Sequence, residues 1–310
     1  MRTTARLTFK QLRFESVALG VALLALAVFL GVDASRVIAL DLRACQGPGP
    51  GPADCLDRLR ELDGLDRQIA LGQLLAAILP VFAALVLGVA LIGREIERGT
   101  TTLAWTLGRS RRRWLLTRSL VVAVALLGVA MVAAAASGFA QQAETPTADL
   151  ARSFDRIEIR GPLVAVRALA AFSVAVLAGA LLGRTLPALL LATVAVAALS
   201  LGVDRGMDVW LRSVALPMPE STDYAADRIV DTQWQDLTTG HVLTVSQYLA
   251  VVPPAGAPPD WQDTNFSAIP IGVSGSRSGD YAAIEVALLG GTIVLGTIGT
   301  LIAVERRRPY

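Results

Sequence analysis

Lysine is nearly absent from this 310-residue chain: Lys10 stands alone against 27 arginines. A phosphate-binding loop needs a lysine behind a glycine-rich turn to reach the β- and γ-phosphates. Lys10 precedes the first long apolar run and no such turn accompanies it, so ATP binding by that route is excluded. Histidine is just as scarce. His241 is the single one, which excludes a two-histidine zinc helix and most zinc-hydrolase sites. A serine triad would have to use His241, and no nucleophile-elbow sequence lies near it, so it reads as a loop residue. Charge is sparse as well, at 17% of residues where soluble domains carry about 25%. No catalytic site and no metal site is readable.

What fills the chain is apolar: 54% of residues are hydrophobic, and they fall in blocks. A membrane span needs about 20 such residues to cross roughly 30 Å of hydrocarbon. Six blocks qualify, at about Ser16–Val32, Ile69–Ile92, Leu115–Phe139, Leu163–Leu182, Leu186–Val203 and Tyr281–Val304. Only Gly183, Arg184 and Thr185 separate the fourth from the fifth, which predicts a tight helical hairpin. The first run is long and lacks a clear cleavage site, so it reads as a retained span.

Charge sets the expected orientation. Residues 1–15, 93–118, Arg184 and 305–310 hold 15 basic and 4 acidic residues; the rest of the chain holds 13 basic and 22 acidic. Basic residues flanking short loops face the cytoplasm, which predicts both termini inside. Trp105, Trp114, Trp210, Trp234 and Trp261 all fall outside the middles of the spans, as expected of indoles that favour interfaces. The expected fold is an all-α polytopic membrane protein with six transmembrane helices. An amphipathic cytoplasmic helix over 1–15 precedes spans one to five, which fill 16–203 with their outer loops. An extracytoplasmic segment over 204–280 lies between the fifth and sixth spans. Residues 281–310 form the sixth span and a basic tail. Met207, Trp210, Leu211 and Val214 share one helical face, which suits a helix lying at the outer interface. The rest of that segment, with Pro253-Pro254 and Pro258-Pro259, reads as loop-rich.

Cys45 and Cys55, the only cysteines, flank Gly47–Pro52 in the first outer segment. Outside a bacterial membrane such a pair tends to form a disulfide, contributing somewhat under about 3 kcal/mol for so short a loop. The competing reading is metal binding, for which two thiols without a nearby histidine are a poor ligand set.

The connection between the second and third spans carries the most information. Glu95 and Glu97 are followed by Gly99-Thr100, then a short amphipathic turn with Leu103, Trp105 and Leu107. Arg109, Arg111, Arg112 and Arg113 then lead into the next span. A basic anchor explains the arginines alone; the order of the whole stretch is more particular. It resembles the second-to-third-span connection of permease subunits of ABC exporters of the type-two family. Glu95, Glu97, Gly99, Thr100, Leu103, Ser110 and Arg111 occupy the matching positions; Gly108 stands where that family often has proline, and Arg118 where a lysine is frequent.

The resemblance implies that Glu95–Arg113 couples to a separately encoded ATPase subunit, which holds ATP and Mg. It also implies a second permease copy, a homodimer being expected, within a bacterial cell membrane. No cofactor is expected on this chain, and no nucleic acid. The alternative reading is a membrane-anchored receptor or assembly factor acting through 204–280. An ion-driven carrier ranks last, since spans two to five show no carboxylate near the bilayer centre.

Two ionisable residues enter apolar runs, Arg167 in the fourth span and Glu285 in the sixth. Such groups are costly in hydrocarbon and usually face the bundle interior or water. They are expected either to pair as an outer-gate latch or to snorkel separately to the interface. Gly179 and Gly183, and Ala283, Ala287 and Gly291, give small residues at helix-packing spacing, read as general bundle packing before a dimer seam.

Overall fold

The computed structural model describes residues 13–41, 45, 54–97, 110–146, 148–218, 226–251 and 266–306. Of the amphipathic helix expected over 1–15, residues 1–12 lie outside these, and 13–15 are the start of the first spanning helix. Six helices are long and apolar enough to cross a membrane. They are α1 (Arg13–Ala39), α2 (Cys55–Glu97), α3 (Arg111–Glu144), α4 (Pro162–Leu182), α5 (Thr185–Val214) and α7 (Ser278–Arg306), with a short α6 (Val245–Val251) before the last. Hydrocarbon offers backbone groups no water, so each apolar run must satisfy its own hydrogen bonds as a helix. The chain is a polytopic membrane protein.

The helices outrun the apolar blocks. With 43 residues, α2 is about 65 Å long at 1.5 Å per residue, twice what the hydrocarbon requires. Its extra turns begin at Cys55, which forms a disulfide with Cys45 across a Cα separation of 5.6 Å. Ion pairs one turn apart, Arg58–Asp54 and Arg60–Asp57, lie at the start of this charged stretch.

The chain divides into two compact units, one of Met1–Thr147, Arg156–Gly202 and Ala282–Tyr310, the other of Ala148–Asp155 and Val203–Tyr281. In the first unit α4 is the most enclosed of the six spans. Pro162 opens it behind Gly161, and Gly183 closes it in the left-handed conformation, its N–H on the Gly179 carbonyl at 2.9 Å. Small residues let α2 approach closely, since without a hydrophobic drive between helices packing holds the bundle. A Cβ on Gly88 would lie 2.7 Å from Ala175 Cβ and 3.0 Å from the Phe172 carbonyl, and one on Gly179 3.2 Å from the Val89 carbonyl. Within the Gly179–Gly183 spacing, then, the first glycine seats α2 and the second caps α4. Ala283, Ala287 and Gly291 are exposed in this chain.

Gly88→Ala should therefore lower the melting temperature in detergent, at about 1–3 kcal/mol for overpacking. Gly128→Ala should leave it unchanged or raise it, because nothing lies within 4 Å of that site and alanine is the better helix former. Shifts of the same sign would refute the seam.

The second unit departs from expectation in two respects. Residues 204–214 are the last turns of a continuous α5, with Met207 and Leu211 buried, and not a separate interfacial helix. Gly202 and Gly206 do not break it, because an interior glycine costs only about 1 kcal/mol. The segment beyond is not all loop. Strands β1 (Leu216–Pro217), β2 (Arg228–Asp236), β3 (Val242–Leu243) and β4 (Phe266–Val273) form an antiparallel sheet in the order β1-β4-β2-β3. Tyr248 of α6 stacks on Trp234 with ring centroids 4.0 Å apart and meets Phe266 edge-on. His241 is exposed in the β2–β3 turn. There Asp236 is pushed down to about 2, chiefly by the Thr238 hydroxyl and then by Thr239.

Candidate functional site

The ends of four spanning helices meet where the arginine-rich connection joins α2 to α3. Gly99, Thr100, Arg109 and the amphipathic turn between them lie outside the described residues; Glu95, Glu97, Arg112 and Arg113 do not. Arg111 opens α3. The Ser110 side chain accepts from the Arg113 N–H, one of the amides a helix start leaves without an internal partner.

Three clasps tie this region together. Glu95, near the end of α2, receives a hydrogen bond from Arg118 of α3, both side chains being largely enclosed. The Arg118 guanidinium also lies 4.8 Å from the Trp114 ring centroid, a favourable cation–π geometry. Glu97 accepts from the Thr185 N–H at 3.1 Å and its hydroxyl at 2.6 Å, so α2 caps the N-terminus of α5 and places a carboxylate at the positive end of its dipole. Arg112 makes a two-pronged contact with Glu305 at the end of α7. Glu95 and Glu97, which the resemblance offered as ATPase-coupling residues, are engaged within the chain.

Away from these clasps, α4 and α7 meet at an ion pair. Arg167 Nε donates to Glu285 Oε1 at 2.5 Å, and Arg167 Nη1 lies 3.9 Å from Glu158 Oε2. Glu285 is fully buried. Its Oε2 accepts no hydrogen bond from the described residues.

A second polar centre was not visible in the sequence. Arg156, held at φ 48°, donates to Gln73 Oε1 at 2.5 Å and Glu144 Oε2 at 2.8 Å, with Asp66 Oδ1 at 3.5 Å. It joins α2 and α3 through partners 12 to 90 residues away in sequence. The signals available were Glu144 closing an apolar run and Asp66 preceding one, and neither names Arg156. Among the described residues no cluster could hold a metal ion.

The geometry therefore offers a clasped multi-helix junction and ion pairs that join the helices. Comparison with known proteins agrees in kind. No curated protein and no solved structure matches the chain. A family model described as ABC-2 membrane transporter related matches residues 17–208, more than half the length and spanning α1 to α5 almost entirely. The chain belongs to the ABC-2 membrane transporter related family.

Proposed function

We propose that this chain is the permease subunit of an ATP-driven exporter in a bacterial cell membrane, with both termini and residues 94–113 on the cytoplasmic side. The junction described above carries the reading. Residues 98–110 are bounded by Glu95 and Glu97 on one side and Arg112 on the other, and those three grip α3, α5 and α7. A force applied to this connection reaches four spanning helices at once. Family membership supports association with an ABC ATPase, and the arginines supply a field that steers and orients such a partner.

ATP and Mg are held by that partner and hydrolysed there. ATP binding closes the ATPase pair, displaces the connection and tilts the helices between two states biased by nucleotide. Arg167 and Glu285, hydrogen-bonded to each other, act as a latch of the outer gate. A second copy of the permease completes the pathway, by analogy with the family. A receptor or assembly role for the sheet-bearing unit is the second reading, favoured by its independent compactness and tested by nucleotide-independent ligand binding.

The test is co-purification. A variant with Arg109, Arg111 and Arg113 all replaced by Glu should reach the membrane in normal amount and lose a co-expressed ABC ATPase. Retention of the ATPase at wild-type stoichiometry, or labelling of residues 94–113 from outside the cell, would overturn the assignment.

A further inference from the structure

A cavity of about 280 Å³ lies within the first unit, between α2, α4, α5 and α7. Its walls are apolar, with Ile78 and Phe82 of α2 and Val196 and Leu199 of α5 among them, and Ser200 beside these. Of the residues lining it, Glu158 and Arg167 alone carry charge. Arg167 is already committed to Glu285 at 2.5 Å, whereas Glu158 is 3.9 Å from the same guanidinium and its side chain is 44% exposed. One guanidinium thus faces two carboxylates, and the excess negative charge sits on Glu158, next to a cavity that offers no other polar group but Ser200.

We infer that this cavity binds a lipophilic cation, its apolar body between Ile78, Phe82, Val196 and Leu199 and its charged head on the Glu158 carboxylate. Apolar pockets with a few placed polar groups are the usual form of a small-molecule site. Here the sign of the more loosely held carboxylate, 3.9 Å from its guanidinium, selects the ligand. A lipid tail or an uncharged amphiphile would fill the walls and make no use of the Glu158 carboxylate. A lipophilic anion would set like charges together. Phe82 adds an aromatic face, which suits a cation over an anion.

Tetraphenylphosphonium and tetraphenylborate share a shape and differ in charge, which makes them the probes. Their binding is measured by equilibrium dialysis against the purified full chain in detergent, with protein-free micelles as the blank. No ATPase is present, so the result does not depend on the permease assignment. Tetraphenylphosphonium should bind saturably at one site per chain, and Glu158→Gln should weaken it roughly fivefold or more. The same substitution should leave tetraphenylborate unchanged or strengthen it. Ser200→Trp, at an exposed lining position, should abolish cation binding by filling the space; a normal melting temperature shows that this variant is folded. Equal affinity for the two probes, indifference to Glu158→Gln, or full binding by folded Ser200→Trp would each overturn the site.

Discussion

Arg167→Ala is expected to destabilise the protein by roughly 3–5 kcal/mol, the usual cost of leaving one member of a buried ion pair uncompensated. Glu285 has no exposed surface, and Arg167 is the one described cation that it meets. Removing the guanidinium leaves a carboxylate in a span with nothing to answer its charge. Glu285→Ala should cost less, because Arg167 keeps Glu158 within 3.9 Å and is itself partly exposed. The double variant should lose far less than the two singles together, with a coupling of at least about 1.5 kcal/mol between contacting groups. Thermal unfolding of the four proteins in one detergent measures this directly. If each side chain instead snorkelled to an interface, the two losses would add. The same four proteins separate stability from gating: a latch predicts that transport is also non-additive in folded, correctly inserted protein, whereas a purely structural pair predicts normal transport per folded molecule.

That these two residues are special, though not that they pair, was legible in the sequence for a simple reason. An ionisable residue inside an apolar run is expensive, so Arg167 and Glu285 each announce themselves. The six spans were legible on the same ground. What escaped is what hydrocarbon does not dictate. Helix ends outside the bilayer are set by charge pairs and caps, so α2 begins at Cys55 and not near Ile69. The fifth span runs on through Gly202 and Gly206 to Val214 because its buried face, Val203, Met207 and Leu211, continues without interruption. The sheet hid behind broken alternation. A register shift between Ile229 and Asp231 resets the period of β2, and Pro270 sits within β4, a residue that normally argues against a strand interior. Arg156 could not be found at all, because a left-handed backbone and partners spread over two helices leave no spacing to read. Arg118 was visible as part of a basic flank and at a position where the resembled family often has lysine, and neither signal named its partner Glu95.

Arg118→Ala is therefore the substitution expected to separate ATP hydrolysis from transport. The Arg118 and Glu95 side chains are 10% and 16% exposed, so their contact is only partly screened. Its loss should cost about 2 kcal/mol of stability, between the values for exposed and fully buried pairs. The larger consequence is mechanical. Glu95 and Glu97 share the last turn of α2; one holds α3 and the other caps α5. Breaking that contact lets α3, which the connection enters directly at Arg111, move under the proposed ATPase without carrying the end of α2 along. In a reconstituted complex, Arg118→Ala should keep at least most of the wild-type ATPase rate while transport per ATP falls about tenfold or more. Arg118→Lys should recover part of it, since the charge returns without the planar fork and its stacking on Trp114. Exchanging the two residues, Glu95→Arg with Arg118→Glu, should recover more than either single substitution, because the pair is restored in reverse. Two results would refute the clasp: wild-type coupling in Arg118→Ala, or an exchange no better than its single components. Equal loss of ATPase and transport would point instead to failed docking, and would move the role of this junction from transmitting the stroke to holding the partner.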